Sequence, residues 1–170
     1  SPNNTDIVWT LDDAKKLTLS GTGAMKDYFY SSYSGPVVPW ENYKKQVTAI
    51  EIGEGITYIG DFAFNWCSHV EEVTIPASVT SIGTGIFFFC GGLERINVAS
   101  GNTAFASVDG VLFSANKATL VACPASKSDT SYTIPNTVTT VADFAFYRCS
   151  NLTAIQFGTN VTTIGDSAFC

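Results

Sequence analysis

Apolar residues return along most of this chain with a period of 23. In the segment 47–69 they are Val47, Ile50, Ile52, Ile56, Ile59, Phe64 and Cys67. In 70–92 the same columns hold Val70, Val73, Ile75, Val79, Ile82, Phe87 and Cys90. A third unit opens on Leu93, Ile96 and Val98. The register then breaks and returns at Tyr132, Ile134, Val138, Val141, Phe146 and Cys149, followed by Leu152, Ile155, Phe157, Val161, Ile164 and Phe169. One such unit cannot bury its own apolar side, so the pattern predicts coils stacked into a solenoid with one continuous core. The opening L-x-x-I-x-I alternates with period 2 and predicts a short strand, repeated side by side in a parallel sheet. Gly53, Pro76, Ala99, Pro135 and Gly158 follow these strands and end them. The remainder of each unit reads I-G-x-x-A-F-x-x-C, which predicts a short helical or 3₁₀ turn. Its Phe64, Phe87, Phe146 and Phe169 should stack inside the convex side.

Three segments depart from the period. Residues 1–46 predict a cap: a hairpin of Val8–Leu11 and Leu17–Ser20, then a short helical run from Pro39-Trp40-Glu41 to Gln46. Trp9 and Trp40 are its expected plugs against the first open coil. Residues 99–131 interrupt the repeat with a second hairpin-like pattern, Val111-Leu112-Phe113 and Leu120-Val121-Ala122. Two placements are open for it. Either residues 120–123 add a strand to the main sheet, or the hairpin projects and 93–98 neighbours 131–134. The expected organisation is therefore a cap at 1–46 and repeats at 47–69, 70–92, 93–128 (irregular), 129–151 and 152–170 (incomplete). The start Ser1-Pro2-Asn3-Asn4 has no Met and no leader-like segment after it, as expected of a processed chain. At Cys170 the last unit is uncapped, so either a further segment or end-to-end self-association is expected to cover it.

Composition sharpens this picture. Charged residues make up 14% of the 170, while 20 Thr and 16 Ser make the surface hydroxyl-rich. The net charge of −6 disfavours nucleic acid and anionic membranes as partners. No apolar run approaches the length that spans a bilayer, so no direct membrane insertion is expected. Cys67, Cys90 and Cys149 share one column and lack metal-ligand spacing; Cys67 and Cys90 are expected to be buried free thiols. His69 shares a column with Gly92 and Asn151, which predicts a turn with positive φ rather than a catalytic base. The carboxylate pairs Asp12-Asp13 and Glu71-Glu72 read as solvated turn or face residues. The N-x-T triplets at Asn3, Asn151 and Asn160 carry little weight in a Thr-rich chain. No nucleophile, phosphate-loop or metalloprotease motif is present, so no catalytic residue, metal or cofactor is expected.

Two surfaces are candidates for a partner. On the solvent side of the main strands one column reads Glu51, Thr74, Asn97, Thr133 and Gln156, and the one before it Ala49, Glu72, Arg95, Ser131 and Ala154. They predict a polar lattice on a rigid concave sheet. The second surface is the aromatic loop with Tyr28, Tyr30 and Tyr33. Of Phe87-Phe88-Phe89, one ring must lie exposed or pack on a neighbouring coil.

The motifs VEEVTIPASVTSIG and DFAFYRCSNLTAI resemble the BspA-like leucine-rich repeat family, over residues 47–170. The preceding WTLDDAKKLTLSGTGAMKDY and PWENYKKQ are similar to the module that often comes before such repeats. The resemblance implies an α/β leucine-rich-repeat solenoid, right-handed, with parallel strands on the concave face and a β-rich N-terminal cap. It also implies a secreted or surface-attached bacterial protein that adheres to or binds a protein or glycan on a host or neighbouring cell. The alternative is a structural spacer in a larger surface protein. One departure stands out: the Asn column of ordinary leucine-rich repeats is here Gly55, Ser78, Gly101, Thr137 and Asn160, so no Asn ladder is expected.

Overall fold

The computed structural model describes residues 6–30 and 35–170. It contains β1 (Val8–Leu11), β2 (Lys16–Ser20), β3 (Gly23–Ala24), β4 (Ala49–Ile52), β5 (Ile56–Ile59), β6 (Glu72–Ile75), β7 (Ser81–Ile82) and β8 (Arg95–Val98). β9 (Phe105–Val108), β10 (Val111–Ser114), β11 (Thr119–Ala122), β12 (Ser131–Thr133), β13 (Thr140–Val141), β14 (Ala154–Gln156) and β15 (Thr163–Ile164) follow. Each regular coil contributes one strand to a first row and a shorter one to a second row. The first row holds β4, β6, β8, β12 and β14, with parallel pairs such as Glu72 opposite Arg95 and Ile75 opposite Val98. The second row pairs β3, β5 and β7, then β11, β13 and β15, again in parallel. Inward residues are dry: Ile50, Ile52, Val73, Ile75 and Ile96 are all buried.

The α/β description does not hold. The only helical element among the described residues is the 3₁₀ turn Lys44–Gln46 in the cap. The outer turns are not helical because a left-handed residue recurs in them every four positions: Phe62 and Trp66, Gly85 and Phe89, Phe144 and Arg148. This divides the main-chain hydrogen bonds between two tasks. Ala63, Asn65 and Cys67 N–H close tight turns onto Gly60, Phe62 and Phe64 carbonyls. Phe62, Phe64 and Trp66 N–H point to the next coil and meet Thr84, Ile86 and Phe88 carbonyls at 2.9, 2.9 and 2.8 Å. The pattern repeats between Phe144, Phe146, Arg148 and the last coil. Inside these turns run stacked rings, Trp40 on Phe64 on Phe87 in one half and Phe146 on Phe169 in the other.

The Thr and Ser content has a matching role. Thr48, Thr80, Thr139, Thr153 and Thr162 each donate a side-chain hydroxyl to a carbonyl of the preceding coil. Ser78 bridges to Ile56, and Asn160 donates to the Asn136 carbonyl. Asp side chains take the place of an Asn ladder: Asp61 accepts from Thr84 N–H and Asp143 from Asp166 N–H. His69, Gly92 and Asn151 lie in turns as expected, but none of them has positive φ. His69 Nδ1 lies 2.9 Å from the Lys45 carbonyl and Asn151 Nδ2 donates to that of Lys127, so this column supplies inter-coil donors. At Gly92 the chain runs so close to Ser68 that a Cβ would sit 2.5 Å from its carbonyl oxygen.

The cap hairpin forms as β1 against β2, and β2 pairs in parallel with β4, which extends the first row. Trp40 is buried and meets Trp9 edge-on at 6.1 Å. Residues 99–131 take neither placement left open by the sequence. β9, β10 and β11 form an antiparallel meander, and β11 joins the second row beside β13 rather than the first. β10 faces β8, where Ile96 N–H donates to the Gly110 carbonyl at 2.8 Å. β10 is also a partition: Leu112 enters the core of the first coils, whereas Val111 and Phe113 enter that of the last ones. The expected single core is thus two cores with a shared wall.

Candidate functional site

On the solvent side of the first row, backbone register brings the predicted lattice residues together pair by pair. Glu72 and Arg95 lie opposite each other on β6 and β8, with Arg95 Nε 2.6 Å from Glu72 Oε2. Asn97 Nδ2 donates to Glu72 Oε1 at 2.8 Å. The hydrogen bond from Arg95 to Glu72, more than any other influence, raises the guanidinium pKa. Glu51 pairs with Lys16 on β2, a partner the repeat pattern did not supply. Thr74 is exposed between Glu51 and the Arg95 network. A shallow depression of about 320 Å³ opens beside Glu51 and Thr74, and another of about 260 Å³ lies between Arg95, Asn97, Asp109 and Lys127. Thr133 and Gln156 are 3.3 Å apart on the separate β12–β14 pair, so the lattice lies on three sheets, β1–β2–β4, β6–β8 and β12–β14, rather than one.

The aromatic loop lies elsewhere. Tyr28 is half-buried against Trp40, and burial raises its hydroxyl pKa. Tyr30 packs on Phe62 and Phe88 of the outer turns at 5.7 and 5.4 Å. The loop and the lattice therefore do not form one site. Tyr33 and Asn3 lie outside the described residues.

The outer turns carry a feature that the sequence reading did not assemble. Phe62, Phe88, Phe144 and Tyr147 form one aromatic cluster, with Phe88 stacked on Tyr147 at 4.4 Å. Trp66 and Phe89 stack face to face at 4.0 Å, with Lys45 and Arg148 over their rings. Phe87 stacks on Phe64, Phe88 is buried, and Phe89 packs on the neighbouring coil as one ring of the triplet had to. The available signal was the density of aromatics in the outer turns, at 62, 64 and 66, at 87–89 and at 144, 146 and 147.

Cys67 and Cys90 are buried thiols, and Cys67 is pushed up to about 12 by burial. Burial also drives Cys90 well above the usual thiol range. Among the described residues no group of three or more His, Cys, Asp or Glu side chains converges as a metal site. Among the described residues no helix is long and apolar enough to cross a membrane.

Coils of 23 residues, two strand rows and stacked outer turns define a leucine-rich-repeat protein. The family model described as the BspA type leucine rich repeat region matches residues 41–128 and 122–170 in six copies, and the chain belongs to that family. Among solved structures, the chain is similar to the pneumococcal vaccine antigen PcpA, at 32% identity and a TM-score of 0.71, over 74% of this chain and 31% of that one. It thus spans about a third of that protein's length. It is also similar to a leucine-rich repeat protein from Eubacterium ventriosum, at 29% identity over 98% of this chain and 61% of that one, with a TM-score of 0.48. A leucine rich cell surface protein from Faecalibacterium prausnitzii shares the fold at 18% identity and a TM-score of 0.59, over 96% and 72% of the two chains. None of the curated proteins matches the chain at a significant level.

Proposed function

We propose that this chain is a non-enzymatic, extracellular binding or adhesion segment of a bacterial surface protein, which holds a protein or glycan partner on the polar face of β4, β6 and β8. The observation that carries this reading is the Glu72–Arg95–Asn97 network. Its side chains are fixed by register and by each other yet remain open to solvent, so they present donors and acceptors with little left to order on binding. Similarity to the pneumococcal antigen and the cell surface protein supports an exposed location. The exposed Phe157, Ile164 and Phe169 of the last coil fit stacking on a further coil or on a second copy.

The test is capture of the purified chain on arrayed host glycans and immobilised extracellular-matrix proteins. Arg95→Gln and Thr74→Arg should abolish capture while leaving the thermal melt nearly unchanged. Capture unaffected by both, or absent throughout, overturns the reading. It would favour the second one, a spacer, which the internal pairing of Lys16 with Glu51 supports.

A further inference from the structure

The meander at 99–131 replaces one coil of the solenoid and supplies only part of an outer turn, the stretch through Cys123 and the turn at 125–126. Between the turn at 83–90 and that at 142–149 the outer wall therefore lacks a complete layer. Elsewhere alternate N–H groups of each turn donate to the next coil, as Phe62, Phe64 and Trp66 do. Their equivalents, Gly85, Phe87 and Phe89, find no main-chain acceptor among the described residues. On the opposite wall, Ala145 carbonyl accepts from Cys123 N–H at 2.6 Å, while the flanking carbonyls of Asp143 and Tyr147 are left without such a donor. Between these edges lies a cleft of about 330 Å³, lined by Gly85 and Phe87 on one side and Asp143 and Tyr147 on the other. Its floor is apolar: Leu93, Phe105 and Val121. The stack of internal rings is interrupted at this level, after Phe87 and before Phe146.

We propose that this slot binds an extended segment of a partner polypeptide that carries a small residue followed by an aromatic one, and that takes the place of the missing part of the outer turn. Its carbonyls accept from Gly85 and Phe87 N–H, and one of its N–H groups donates to the Asp143 or the Tyr147 carbonyl, since Cys123 holds the position between them. This is main-chain recognition of the kind seen in strand addition, applied to a turn edge. The partner's aromatic ring continues the interrupted stack over the floor. The partner is not a sugar or a small anion, because the walls offer alternating main-chain donors and acceptors above an apolar floor, with Asp143 as the one charged side chain in the lining. The rings of Phe88, Phe144 and Tyr147 lean over the slot and part when it fills. The site is separate from the polar face of β4, β6 and β8, and does not rest on that reading.

The probe is a capped synthetic peptide with the sequence of residues 141–148, Val-Ala-Asp-Phe-Ala-Phe-Tyr-Arg, titrated into the isotopically labelled 170-residue chain. Saturable downfield shifts of the Gly85 and Phe87 amide protons are expected below about 1 mM peptide. Thr119→Arg and Ala125→Arg place a long side chain in the slot from two different positions. Whichever of them keeps the native melt should weaken binding at least about tenfold. A peptide with Asp in place of its Phe146 should weaken it similarly, and Tyr147→Ala, which removes part of the roof, should not. The proposal is overturned by no saturable shift, by shifts confined to the β4–β6–β8 face, or by binding that both Arg variants and the Asp peptide leave unchanged. Concentration-dependent shifts of the same amides without peptide would mean that a second copy fills the slot, and would overturn it too.

Discussion

The stacked phenylalanine column permits a graded test, because the same residue occupies chemically matched positions at different depths. Phe64 is fully buried and lies between the rings of Trp40 and Phe87, with centroids 6.2 and 6.1 Å away. Phe64→Ala removes a transfer contribution of about 1.5–3 kcal/mol. It also leaves a cavity held open by neighbouring coils, at about 24 cal/mol per Å³ that fails to collapse. The sum is about 4 kcal/mol, within the roughly 3–5 kcal/mol usual for Phe→Ala in cores. Phe169 is 41% exposed and stacks on Phe146 from one side. Its truncation leaves no enclosed cavity and loses about 1 kcal/mol. Urea unfolding followed by far-UV circular dichroism and by Trp fluorescence, with the slope compared across variants, measures both. Losses for Phe64→Ala and Phe169→Ala within about 0.5 kcal/mol of each other would refute the argument, since no core of stacked coils treats an inner and an end layer alike.

Three further outcomes follow from features of the cap, the coils and the thiols. Lys44 is buried, with Nζ 2.7 Å from Glu41 and 3.0 Å from Asn65, so Glu41→Ala strands its charge and should cost about 2 kcal/mol in urea unfolding, less than for a fully dry pair because Glu41 is partly exposed. The double variant Glu41→Leu/Lys44→Met should recover most of that loss. Glu54 is held below its ordinary pKa by the Ala77 and Ser78 main-chain N–H groups, and Asp129 by Lys127. Both are lower in the folded chain, so their stabilisation is present above the usual carboxylate range and is lost as pH falls through the folded values. The urea midpoint should therefore drop between about pH 5 and pH 3, with a shallower drop in Glu54→Gln. In native protein at pH 8 a maleimide should modify exposed Cys170 rapidly, and Cys67 and Cys90 only on unfolding, as mass spectrometry of peptides will show.

Spacing in the sequence was sufficient for the coils, the inward columns and the polar face, because each depends on side-chain alternation that survives without coordinates. The outer turns were misjudged as helical since an A-F-x-x-C run suits a helix by spacing, while the left-handed backbone at Phe62, Trp66 and Phe144 has no residue-type signature. Bulky aromatics rarely adopt it. Here the inter-coil hydrogen bonds from Phe62, Phe64 and Trp66 enforce it. At His69 only the positive φ fails: Gly, Asn and His share turn tolerance and all three sit in turns, but His and Asn also share a nitrogen donor, which here reaches the preceding coil. The slot was illegible because it is made by what residues 99–131 omit, and an omission leaves no motif. In the lattice, Glu51 was found and Lys16 was not, since Lys16 belongs to the cap and lies outside the repeat.

β10 gives the chain a mechanical character. It is a single strand with Leu112 sunk in one body and Val111 and Phe113 in the other, and main-chain ties such as Ile96 to Gly110 and Leu93 to Ser126 run beside it. At this seam the regular inter-coil bonds are interrupted, whereas within each body the second row and the outer turns tie coil to coil. Under a pull along the chain the seam would be the first place to open, with the rings of Phe88 and Tyr147 parting there.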